Sequence, residues 1–206
     1  MPLEKSDLLI DRVKNVFENL ESANTNDQLQ ELSKEVSPML SGQNDNIMLN
    51  QSLFERVKVV YETRNEVGLD NEQIKLVEEF YDDFVRGGAN LDTPKKERLK
   101  EINQRLSLLS VQFSENVLAE TNDYELIIDN EADLAGLPEA IVEAATETAI
   151  EKGKEGKWVF TLHYPSYIPF VTYSDKRELR EKITRAFGSR GFKDNERNNT
   201  ETVKKI

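Results

Sequence analysis

KWVFTLHYPSYIPFVTYSDKRELREKITRAF, residues 157–187, decides whether this chain is purely helical or carries a β element. The stretch holds the only Trp (Trp158), the only His (His163), and Tyr164, Tyr167 and Tyr173. Trp158, Phe160 and Leu162 alternate with Val159 and Thr161, the period-two pattern of a strand. Ile168 to Thr172 reads as a further extended piece, with Pro165 and Pro169 fixing the backbone beside it. Asp175 with Glu178 has the spacing of a capping box, and Leu179, Ile183, Ala186 and Phe187 form the apolar face of the helix that follows. A polar loop is expected from Gly188 to Arg197.

Upstream, Tyr124 to Ile128 is rich in β-formers and predicts the partner strand. Between the two lie a short helical turn over Asn130 to Ala135 and a helix opened by Pro138, with Ile141, Val142, Ala145, Ala149 and Ile150 on its inner face. Everything before residue 122 reads as helix. A first helix covers Leu3 to Glu21, with Leu9, Val13, Val16, Phe17 and Leu20 as its core stripe. Thr25 with Gln28 caps a second helix in which Pro38 predicts a kink or a break. Asn50 caps a third, and Asp70 with Gln73 a fourth, stopped by Gly87 and Gly88. Thr93 and Pro94 open a fifth and longest helix reaching about Glu120, with Leu99, Ile102, Leu106, Leu109 and Phe113 in a narrow seam.

The expected fold is therefore mainly α, with a small antiparallel β ribbon at about 124–128, 157–163 and 168–172. Two regions are expected: helical hairpins over 1–122, and a mixed region over 123–206 packed with them as one lobe. Asn199, Thr200 and Glu201 start a last helix, which Ile206 interrupts after about two turns; this reads as a piece of a longer protein.

Composition narrows function. A chain of 206 residues hides about 70% of its unfolded surface. The net charge of −12 repels nucleic-acid phosphates, so no nucleic-acid partner is expected. No apolar run approaches the ~20 residues of a membrane span, and MPLEKSDLL at the start lacks the apolar core of a signal peptide, so no membrane partner is expected either. With no Cys and one His, neither a thiolate site nor a multi-histidine metal site can be assembled.

Individual candidates reduce to structure. His163 stands alone, and a lone imidazole reads as structural or exposed. Trp158, Tyr164, Tyr167 and Phe170 read as packing. Glu78, Glu79, Asp82 and Asp83 are sequence neighbours pointing different ways on a helix, a solvated face rather than a carboxylate dyad. Arg185, Arg190, Lys193 and Arg197 form a basic patch, expected to pair with acids beyond this chain. No catalytic, cofactor-binding or metal-binding residue is assigned.

Several segments, in order, resemble the thimet oligopeptidase family of zinc metallopeptidases, in its bacterial peptidyl-dipeptidase (dipeptidyl carboxypeptidase) branch. They are NTND at 24–27, IMLNQSLFERVK at 47–58, FYDDFVRGGANL at 80–91, LKEINQRLSLLSVQFSENVLAETN at 99–122, LAGLP at 134–138, GKWV at 156–159 and YPSYIP at 164–169. The resemblance implies one helical lobe of a two-lobed enzyme with a deep channel between the lobes. It also implies a zinc held by His-Glu-x-x-His and a further Glu, and release of dipeptides from the C-terminus of oligopeptides. This chain is similar to most of the family's N-terminal region, without its first part, and the zinc motif lies downstream of anything matched. No family ligand therefore maps onto a residue here. The resemblance implies zinc and an oligopeptide substrate for the parent, a C-terminal catalytic lobe as its partner, and no catalysis by this chain alone. Separated from its other lobe, the chain is expected to expose apolar patches and self-associate. The absence of Cys fits a reducing compartment, so a cytoplasmic location is expected, or a periplasmic one if an export signal precedes. The alternative is a stand-alone helical binding module without catalysis.

Overall fold

The computed structural model describes residues 8–206, which form two compact units, the first running to Val111 and the second covering Gln112–Ile206. The expected start of the first helix, residues 3–7, lies outside the described residues. The fold is mainly α with one small antiparallel sheet. Among the described residues no helix is long and apolar enough to cross a membrane.

In the first unit, α1 (Leu8–Ala23) and α2 (Asp27–Met48) pack side by side. The α1 stripe does not face a core as expected: Leu9 is 75%, Val13 63% and Val16 62% exposed. Its amphipathic period forms the helix but leaves the apolar side uncovered. The cap of α2 is Asn26 rather than Thr25; the Asn26 side chain accepts the Leu29 N–H at 3.0 Å. Asn reaches back to the third amide as well as Thr does, so a run of cap formers leaves the register open. The expected break at Pro38 does not occur: α2 continues through it and through the polar run beyond, to Met48. A helical proline removes only one donor, and the neighbouring turns hold. One reason the polar run stays helical is tertiary. Asp45 is buried, and Asn103 donates to it at 2.6 Å.

The caps of α3 (Gln51–Thr63) and α4 (Asn71–Arg86) follow the sequence reading. Asn50 accepts the Leu53 N–H, and Asp70 with Gln73 makes a reciprocal capping box. Phe54 and Phe84, both buried, centre the core between these helices. Above it Tyr61 and Tyr81 stack at 3.9 Å, and Arg64 lies over the Tyr61 ring while bonding Glu78 at 3.1 Å. The longest helix, α5 (Thr93–Asp123), is capped one residue earlier than expected: Asp92, not Thr93, accepts the Lys95 N–H at 3.0 Å. A carboxylate also suits the positive end of the helix, which favours Asp over Thr there.

In the second unit, β1 (Leu126–Ile128) pairs antiparallel with β2 (Trp158–Phe160), Leu126 opposite Phe160 and Ile128 opposite Trp158. Both strands are shorter than the expected 124–128 and 157–163. A 3-10 turn (Glu131–Leu134) and α6 (Glu139–Glu151) connect them, α6 packing on β2. The third extended piece at 168–172 is absent: α7 (Tyr164–Tyr173) takes its place, followed by α8 (Arg177–Gly188) and α9 (Thr200–Lys205). Burial overrides propensity. As a helix, the aromatic and β-branched run places Phe170 in the core with Leu126, Ile128, Phe160, Leu162 and Ile183. Pro165, in the first turn, is pre-set for a helix start rather than an extended spacer. Nor does Asp175 cap α8. Its N–H donates instead to the Ala135 carbonyl at 2.8 Å, a contact made possible by Gly136 (φ 87°), where a Cβ would sit 2.3 Å from the Tyr173 oxygen.

Candidate functional site

Charge is distributed unevenly along the second unit. Between Arg105 and Lys152 the sequence holds acidic side chains and no Lys or Arg. The cations come later and return to pair with those acids. Lys152 and Lys154 bind Glu125 at 3.0 and 2.6 Å, Lys157 binds Asp129 at 2.6 Å and Lys176 binds Asp133 at 3.0 Å. Lys193 reaches Glu120 at 3.2 Å, and Arg197 pairs with Asp123. The expected basic patch is thus corrected. Lys193 and Arg197 are paired within the chain, Arg185 pairs with Glu181 one turn away, and Arg190 lies 3.7 Å over the Phe187 ring while donating to Thr121.

The most completely built polar cluster centres on Glu120, near the end of α5 and only 2% exposed. One carboxylate oxygen accepts from Asn195 at 2.6 Å; the other accepts the Gly191 N–H at 3.1 Å and the Lys193 ammonium. Asn199, four residues beyond Asn195, is fully buried. It accepts from Asn116 at 2.8 Å, donates to the Phe113 carbonyl at 3.2 Å, and gives its own N–H to Gly191 at 2.6 Å. Gly191 has φ 74°, and a Cβ there would lie 2.7 Å from the Asn199 amide nitrogen. The loop between α8 and α9 is therefore fastened by side chains rather than by apolar packing. An open depression of about 430 Å³ adjoins it, lined in part by Tyr124, whose hydroxyl is buried with no partner among the described residues. Burial raises the Tyr124 pKa, so the phenol stays protonated.

Burial alone would push the Glu120 carboxyl up, but the bonds from Asn195, Gly191 and Lys193 outweigh it and hold the pKa below the ordinary value of 4.5. Lys154 and Lys152 lower Glu125 likewise. For a depressed carboxyl, the stabilisation is complete above the unfolded pKa and is lost as pH falls through the folded one. The second unit should therefore keep its full stability down to about pH 5 and lose it progressively in stronger acid. Urea midpoints measured between pH 7 and pH 3 test this; a midpoint that rises in acid contradicts it.

The remaining candidates sit apart. His163 is exposed at the cap of α7. Tyr167 stacks on Phe187 at 4.2 Å, and Phe170 tilts against Phe160 at 4.6 Å, so these aromatics pack, whereas Tyr164 is 66% exposed. Glu78 and Glu79 pair with Arg64 and Lys75, and Asp82 and Asp83 face solvent. For a zinc ion the donor set does not fit: among the described residues no three His, Cys, Asp or Glu side chains gather to hold a metal.

No family model matches the chain. Curated proteins do. The chain is 36% identical over 203 residues to a dipeptidyl carboxypeptidase of Escherichia coli, covering 98% of this chain and 30% of that protein. It is 35% identical over 190 residues to an oligopeptidase A of Haemophilus influenzae, 92% of the chain and 28% of the relative. A probable cytosolic oligopeptidase A of Arabidopsis thaliana is 31% identical over 198 residues, again 92% and 28%. The chain thus spans about 30% of the length of the relatives it matches. The resemblance to dipeptidyl carboxypeptidases and oligopeptidases of the thimet type is borne out.

Proposed function

We propose, from the premise that nearly the whole of this chain is homologous to less than a third of a bacterial dipeptidyl carboxypeptidase, that it is the non-catalytic N-terminal portion of a zinc-dependent peptidyl-dipeptidase. In that protein it would form the wall of one lobe and limit access to oligopeptides, while the zinc and its ligands come from a C-terminal catalytic lobe. The observation carrying this reading is the continuous similarity over 203 residues, set beside a sequence with one His. A zinc site of the His-Glu-x-x-His kind needs two histidines one turn apart on a helix, and that pair cannot be drawn from this chain.

The purified chain should therefore neither hydrolyse oligopeptides nor retain zinc. Metal analysis after dialysis, with a fluorogenic oligopeptide assay, tests both. One zinc per chain together with chelator-sensitive cleavage would overturn the proposal. DNA beyond the codon for Ile206 separates this reading from a stand-alone binding module: an open frame encoding His-Glu-x-x-His supports it, and an immediate stop favours the module.

The exposed stripe of α1 supports one further element. Leu9, Val13, Val16 and Leu20 repeat in steps of four, three and four, the spacing of an antiparallel helix seam. The isolated chain should self-associate through it. Sedimentation should show a mass rising with concentration, and Val13→Lys with Val16→Glu should abolish that rise; a wild-type chain that stays monomeric argues against it.

A further inference from the structure

A second cleft in the Gln112–Ile206 unit, of about 220 Å³, lies between α6 and the first turn of α7. Ala144, Ala145 and Thr148 line it from α6; Thr161, His163 and Ser166 line it from the other side. Small side chains on α6 leave the room, and no carboxylate lines it, on a chain of net charge −12.

Three of its polar groups have a proton to give, those of Thr161, His163 and Ser166. Thr148 is the exception: its hydroxyl gives its proton to the Ala144 carbonyl at 2.9 Å and offers the cleft only lone pairs. The Ser166 oxygen accepts the Thr161 N–H at 3.0 Å, which leaves the Ser166 proton free to point outward. Thr161 is only 8% exposed, and among the described residues its hydroxyl makes no hydrogen bond. The residue lines the cleft, so a ligand there can take the place of solvent at its hydroxyl. The His163 imidazole stands at the N-terminus of α7, a ten-residue helix whose positive end faces the same side, and Pro165 pre-sets that turn.

We propose that this cleft binds a small carboxylate, whose two oxygens accept from the Thr161 and Ser166 hydroxyls and from His163, its alkyl part resting on Ala144 and Ala145. A carboxylate supplies lone pairs and no protons, which is what three free donors without a lining acid select. The inference rests on the cleft alone and does not depend on the peptidase reading.

The test is a heteronuclear NMR titration of the full 206-residue chain at neutral pH with acetate, N-acetylalanine and N-acetylalanine amide. The two carboxylates should shift the amides of Thr161, Tyr164 and Ser166 saturably; the amide, lacking the charge, should shift none. Equal affinity for acetate and N-acetylalanine assigns the site to free small acids, and a clear preference for N-acetylalanine assigns it to peptide C-termini. Thr161→Val, which keeps the shape and removes the hydroxyl, should weaken binding about tenfold. His163→Gln, an exposed change that leaves the fold intact, should weaken it as well. Shifts that fail to saturate, that the neutral amide reproduces, or that survive both substitutions unchanged overturn the proposal.

Discussion

Phe170→Ala is expected to destabilise the second unit by about 3–5 kcal/mol, the usual cost of deleting a fully buried ring. Phe170 has no exposed surface, and its ring lies 4.6 Å from that of Phe160 at 56°. The walls of the resulting cavity come from separate elements: Leu126 from β1, Phe160 from β2, Ile183 from α8. Collapse onto the void would need two strands and a helix to move together, so little relaxation is expected and the cavity term should be near its full size. Trp158 is the only Trp, sits in β2 and packs against this cluster, so its fluorescence reports on this unit during urea unfolding. Phe170→Leu should cost well under half as much, because most of the volume stays. A loss below about 1 kcal/mol for the alanine variant would show that the ring does not hold α7 to the sheet.

The same ring shows where sequence reasoning reaches and where it stops. Helix starts set by one side chain and its own third amide were legible: Asn50 and Asp70 cap as their spacing implies. Where two cap formers stand side by side, as at Thr25 and Asn26 or at Asp92 and Thr93, local chemistry fits either, and the structure uses the residue the sequence did not favour. The α7 segment failed for a different reason. Its aromatic and β-branched residues with two prolines match an extended chain locally, and only the core of Phe160, Leu162 and Ile183 makes a helix the better burial of Phe170. The seam of α1 failed in the opposite sense, since a perfect period cannot say whether anything lies against it. As for candidate sites, the sequence limits metal chemistry through its single His and missing Cys. It could not show the cluster around Glu120, whose partners lie about seventy residues further on. The one available signal was the run between Arg105 and Lys152 without a cation, which demands compensation from elsewhere.

Glu120→Ala is the second large effect, expected to cost about 2–3 kcal/mol, because it removes three bonds at once and leaves the buried Gly191 N–H unpaired. The contributions of its partners should be unequal. Lys193 is 38% exposed on its side chain, so Lys193→Met should cost about 1 kcal/mol or less. Asn195 donates at 2.6 Å and also accepts the Arg197 N–H, so Asn195→Ala undoes two bonds and should fall between the two. Glu120→Gln keeps one acceptor but turns an amide NH₂ toward either Gly191 or Asn195, donor against donor, and should recover only part of the loss. The loss should also be local. Phe192 in this loop is 53% exposed, so little apolar packing remains once the carboxylate is gone. The Gly191 and Asn199 amides should then exchange with solvent much faster, while those of β1 and β2 should lose little or no protection. If Lys193→Met proved as damaging as Glu120→Ala, the exposed ion pair would be the fastening element. The buried hydrogen bonds would then be secondary, reversing the order that burial predicts.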